Sequence, residues 1–222
     1  MRKQLVYLIA DTSGSMRGEP IKEVWNLYGG IIDVLKHDPF ALETVYVSII
    51  NYACDVEMTP FREISSFEMP ELPHITSGPK NCGQALEKLL ESYKNDYVEE
   101  TPYQKGDWTP IVFLATYGTP SDIAVFNHAV QKIKEINKNG PKLRIYLLHG
   151  DERKTEPYNS LTENIHLIKE FDASIVKQII SFVGIEIECE YIHDDSIEFS
   201  PERVNNDSTE IPPPPPEVNI VL

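Results

Sequence analysis

Apolar positions along the chain follow two periods. Residues 5–10, 44–51, 111–116 and 143–149 are near-continuous apolar, β-branched runs, as strands buried on both faces must be. Between them apolar residues recur at helical spacing. Ile21, Val24, Trp25, Tyr28, Ile31, Ile32 and Leu35 give residues 21–36 one inner face, and Ala85, Leu86, Leu89 and Leu90 do the same for 83–93. Helices are also predicted over 123–137, closed by Pro141, and over 173–183, opening at Asp172 as N-cap. Such alternation predicts a doubly wound, mostly parallel α/β sheet with helices on both faces. Residues 56–62 follow the second strand after too short a gap for a helical crossover, so they should pair antiparallel at an edge. With 165–168 as the last strand, the sheet is expected to have six strands. No internal repeat marks a solenoid.

The 222 residues suffice for one well-buried domain. The expected division is a domain over 1–191 and an acidic, proline-rich extension over 192–222. From Glu186 to Glu210 nine acidic residues face only Arg203, which reads as a solvated face or as a docking surface for a basic partner. Pro212 to Pro216 favour polyproline II. They form a stiff linker, or else prop the apolar end Val218 to Leu222 against the domain or offer it to a partner as an added strand.

Charge narrows the partners: 20 basic against 35 acidic residues give a net charge of −15, which repels nucleic acid and anionic lipid. Cys54, Cys82 and Cys189 are odd in number and widely spaced, fitting reduced thiols in the cytoplasm. The apolar run after Met1-Arg2-Lys3 stops at Asp11 and suits a buried strand better than a signal peptide. No apolar stretch is long enough to span a membrane.

Asp11-Thr12-Ser13-Gly14-Ser15 stands between the first strand and a helix, where α/β sheets place ligand sites. A carboxylate and two hydroxyls at alternate positions can converge on a hard cation such as Mg2+. The same letters also make an N-cap turn.

Other segments decide between these. Val6 to Met16 with Gly18-Glu19-Pro20-Ile21, then Asp38-Pro39-Phe40-Ala41-Leu42-Glu43-Thr44, then Gln104 to Leu114, and finally Pro212 to Pro216 occur in one order. In these segments the chain resembles the von Willebrand factor A family, and within it the bacterial TerY-like proteins of tellurium-resistance and stress systems. The resemblance implies a Rossmann-like fold and a metal-ion-dependent adhesion site of five side chains: the Asp and two Ser of the first motif, a later Thr, and an Asp after the fourth strand. In this sequence Lys80 falls on the Thr and Tyr117 on the second Asp. One carboxylate then faces an ammonium, and a divalent cation brought beside that ammonium meets like-charge repulsion, since unit charges ~4 Å apart at an effective dielectric of ~20 interact by ~4 kcal/mol.

The expected site is thus Asp11, Ser13, Ser15, Lys80 and Tyr117, a partner-binding remnant with no tightly held metal or other cofactor and at most weak Mg2+. Lys80 is read as filling the cation's place and holding the Asp11 loop, or as a solvated loop residue. Tyr117 packs under its loop in the plainer reading. Asp122 could swing in as a replacement carboxylate, although an acidic residue is expected at a helix start anyway. His149 is the one histidine near this face and reads as a loop residue without catalytic duty, and no phosphate-binding glycine loop is present. The chain is therefore expected to be a binding protein and not an enzyme. The resemblance implies protein partners, among them a Ser/Thr kinase and a metal-dependent Ser/Thr phosphatase. The alternative is a Mg2+-dependent adhesion domain that takes an acidic residue of its partner.

Overall fold

Every residue of the first strand, β1 (Gln4–Asp11), is buried, so both faces of the sheet must be covered. The computed structural model describes residues 2–139 and 142–168. Side chains alternate across β1: Val6, Leu8 and Ala10 meet Val24, Tyr28 and Ile31 of α1 (Glu19–His37), while Leu5, Tyr7 and Ile9 meet Leu86 and Leu89 of α3 (Cys82–Asp96) and Phe126 and Val130 of α4 (Ile123–Ile136). Burying each such side chain contributes about 1.5–3 kcal/mol relative to leaving it in water. The other strands are β2 (Val45–Tyr52), β3 (Val56–Met58), β4 (Arg62–Glu63), β5 (Trp108–Thr116), β6 (Arg144–His149) and β7 (Ile165–Leu167).

Their order is β3-β2-β1-β5-β6-β7, with β4 also paired to β2. The α/β class, the parallel centre and the helices on both faces agree with the sequence pattern. The strand number does not: the sheet has seven strands, because the single edge strand expected over 56–62 is two pieces. Proline has no N–H for the ladder, and Pro60 lies at the break. Met58 faces Ile50 and Arg62 faces Val47, so the edge advances four residues against three on β2. Both pieces pair antiparallel with β2, as expected.

Residues 39–44 stand directly before β2. They form a short helix, α2 (Pro39–Thr44), whose free N–H groups at Phe40 and Ala41 are accepted by the Asp38 carboxylate at 2.8 and 3.0 Å. The predicted helix at 173–183, Pro141, the acidic stretch and the polyproline run lie outside the described residues. Among the described residues no helix is long and apolar enough to cross a membrane.

Candidate functional site

The carboxyl ends of β1, β2 and β5 carry the loops that build the site. Beyond Asp11 the chain is held from both sides: Thr12 N–H donates to the Tyr52 carbonyl at 2.8 Å, and Thr76 N–H donates to the Thr12 carbonyl at 3.0 Å. Ser13 makes a parallel bridge with Thr76, and a one-turn helix at Gly14–Met16 follows. Backbone pairing thus ties this loop to the strand end of β2 and to the segment at Thr76.

Asp11 is wholly buried, and each of its carboxylate oxygens accepts an internal donor: Oδ1 takes Ser13 N–H at 2.8 Å and Oδ2 takes the Thr116 hydroxyl at 2.8 Å. Ser13 and Ser15 converge as their spacing predicts, with hydroxyls 3.1 Å apart. Ser13 is buried and Ser15 exposed.

Lys80 stands on the loop that leads into α3. Its backbone is tied to Ser121 in both directions, N–H to the Ser121 hydroxyl at 3.0 Å and carbonyl to Ser121 N–H at 2.9 Å. Its side chain lies over Gly118, where an added Cβ would come within 2.0 Å of Nζ. Gly118 N–H donates to the Thr116 hydroxyl at 3.1 Å, so the ammonium stands one turn away from the group that holds Asp11. Nζ makes no ion pair with Asp11, and none with any other carboxylate among the described residues. The bond that would have held the Asp11 loop is replaced by the backbone pairing with Tyr52 and Thr76.

Tyr117 turns to the rim. Its hydroxyl donates to the Glu23 carboxylate of α1, and its ring covers Gly150 so closely that a Cβ there would lie 2.1 Å from ring atoms. Burial first, and then the Glu23 charge, push the phenol far above its usual range. Asp122 does not swing toward the Asp11 loop: its oxygens accept Gly83 N–H at 3.0 Å and Gln84 N–H at 2.9 Å, capping α3 from a neighbouring loop.

Beneath the turn lies a buried polar layer that spacing alone did not reveal. His149, wholly buried, accepts Asp151 N–H at Nδ1 (2.9 Å) and so donates from Nε2 to the Gly118 carbonyl at 3.0 Å. Burial lowers its pKa, which matches a neutral ring using both nitrogens. The Tyr158 hydroxyl donates to the same carbonyl at 3.1 Å, burial raises the Cys82 thiol to about 12, and the buried Tyr52 hydroxyl has no partner among the described residues. Thr116 was the member most open to discovery, since it ends β5 beside Asp11. Glu23 gave no signal, being one charge on the outer face of a helix.

A divalent ion of the kind the fold family holds needs several oxygen ligands. The donors here are one carboxylate, with each oxygen already engaged, and two hydroxyls, beside an ammonium at position 80 and a tied phenol at position 117. This set fits such an ion poorly.

No protein-family model and no curated protein sequence matches the chain. Solved structures do. The chain is similar to the pilus adhesin SpaC of Lactobacillus rhamnosus GG in its open conformation, at 11% identity over 84% of this chain and 30% of that one, with a TM-score of 0.60. It is similar to the manganese-loaded TRAP protein of Plasmodium vivax, at 15% identity over 84% and 74% with a TM-score of 0.58. A third match is von Willebrand factor type A from Catenulispora acidiphila, at 12% identity over 82% and 42% with a TM-score of 0.57. The chain spans less than half the length of the adhesin and the Catenulispora protein. Identities this low speak for the fold alone, and with the strand order and the Asp11 loop in place, the chain has the von Willebrand factor A fold.

Proposed function

We propose that this chain is a non-enzymatic protein-interaction module that works in the cytoplasm and engages its partner at the Asp11 face without a tightly bound metal. The observation that carries this reading is the division of the site: the buried half is satisfied by the protein's own donors, and the two positions that would complete an ion's shell hold Lys80 and Tyr117. The sequence resemblance to TerY-like proteins extends it to a stress or tellurium-resistance system, with a Ser/Thr kinase and a metal-dependent Ser/Thr phosphatase as partners. Catalysis has little support, because it calls for a nucleophile beside a base, and the two histidines with lowered pKa values, His149 and His166, owe the shift to burial.

A metal-dependent adhesion mode is the second reading, favoured by the Ser13 and Ser15 hydroxyls lying 3.1 Å apart on the open side of Asp11. Capture of the kinase or phosphatase on immobilised chain separates the two. Metal-free engagement predicts equal retention in EDTA and in millimolar Mg2+; release by EDTA would establish the adhesion mode.

A further inference from the structure

Basic residues are scarce in this chain, 20 against 35 acidic, yet five of them stand between positions 132 and 144: Lys132, Lys134, Lys138, Lys142 and Arg144. Glu135 is the one acidic residue in that run. The end of α4, the turn after it and the start of β6 carry these cations, away from the Asp11 face, which meets α4 at its other end. Asn137 pins the turn: its Oδ1 accepts Lys142 N–H and Leu143 N–H, each at 2.9 Å, and its Nδ2 donates to the Leu143 carbonyl at 2.9 Å. The helix dipole favours a cation in the last turn, and Lys134 fills that role. It does not account for the other four. Little among the described residues answers them. Lys142 stands 3.8 Å from Glu99 in an exposed pair of small worth, and the exposed Lys132, Lys134 and Lys138 make no ion pair with any described carboxylate. Lys134 and Arg144 line a hollow of about 670 Å3 whose other wall, residues 159–164, leads straight into β7.

We propose that this basic end of α4 and β6 is a docking site for the chain's own acidic stretch, residues 186–210. Nine carboxylates there face only Arg203, so the charges are complementary, and the stretch itself lies outside the described residues. Reach is no obstacle. Glu186 follows Ile168 by eighteen positions, which span up to ~60 Å when extended. The end of β7 and the hollow are separated by little more than β6, whose six residues measure roughly 20 Å. A tethered ligand of this reach is present at an effective concentration on the order of millimolar. A free polyanion, by contrast, would approach from solution against a net charge of −15. Docked in this way, the stretch is closed to a basic partner until that partner displaces the lysines. The contact does not depend on how the Asp11 face works.

The test is zero-length carbodiimide coupling of the full chain, which joins amines to carboxylates in contact, followed by peptide mass spectrometry. Lys22 and Glu19, 2.8 Å apart, supply the internal control. The expected result is links in the monomer band from Lys132, Lys134, Lys138 or Lys142 to carboxylates of 186–210. Their yield should fall on the order of fivefold from roughly 0.01 M to 1 M salt, as the Debye length shrinks from about 30 Å to about 3 Å. Lys134→Gln with Lys138→Gln should lower the links made by Lys132 and Lys142, whose amines are still present, to a similar extent. Lys134→Arg with Lys138→Arg, which keeps the charge, should preserve them. Equal yields at Lys36 and Lys80 overturn the proposal, as do Lys132 and Lys142 links that survive the Gln pair. Links confined to a dimer band would make a second copy the occupant. Absence of links to 186–210 while Lys22 couples to Glu19 overturns it as well.

Discussion

Asp11 ends β1 and Lys80 stands on the loop into α3, and the fold treats them oppositely. Asp11 is buried, comes from the fully buried central strand, and has both oxygens bonded to donors from its own loop and from β5. Lys80 comes from a loop, is half-buried, and has a head group with no partner among the described residues. One is tied into the structure by two hydrogen bonds; the other is held only through its backbone and stem. The inner group is held by the protein's own hydrogen bonds, and the outer head group makes none among the described residues.

Removing the inner charge should therefore cost most. Asp11→Ala leaves Ser13 N–H and the Thr116 hydroxyl buried without an acceptor, and about 3 kcal/mol of stability should be lost in a urea titration. A loss below about 0.5 kcal/mol would break the contrast, because Asp11 would then be free to serve an ion. Asp122→Ala comes next, at about 1 kcal/mol, since this carboxylate caps α3. Its metal response should be that of the native chain.

His149 sharpens the picture through pH. Burial holds its folded pKa below the usual imidazole value, so as pH falls below about 6.5 the unfolded chain takes up a proton that the folded chain resists. Stability should decline as pH falls below about 6.5, by at most ~1.4 kcal/mol per unit for this residue, and His149→Gln should flatten that slope. Equal slopes would mean that the ring does not hold Gly118 in neutral form. At the outer end the effects should be smallest: Tyr117→Phe loses a rim hydrogen bond worth about 0.5 kcal/mol, and Lys80→Met should change stability by less than that. A large loss at Lys80 would show that the ammonium is structural after all.

The sheet was legible because strands buried on both faces leave continuous apolar runs, and β1, β2, β5 and β6 each lie within a few residues of their runs. The edge was less so, since Pro60 interrupts the ladder without interrupting the apolar pattern. The α2 helix was hidden in six residues whose start depends on the Asp38 side chain. At the site, the letters singled out Asp11, Ser13, Ser15, Lys80 and Tyr117, of which Asp11, Ser13 and Ser15 are bonded to one another. Their partners were invisible: Tyr117 meets Glu23 across 94 residues, Asp122 meets Gly83 across 39, and no local pattern encodes which donor a folded loop brings to a carboxylate.

The claim that this site operates without a tightly held ion is tested most directly by calorimetric titration of the metal-stripped chain with Mg2+ and Mn2+. We expect no binding heat up to millimolar metal in the native chain, and the appearance of a site when Lys80→Thr and Tyr117→Asp restore the missing oxygens. A micromolar site in the native chain would contradict the account.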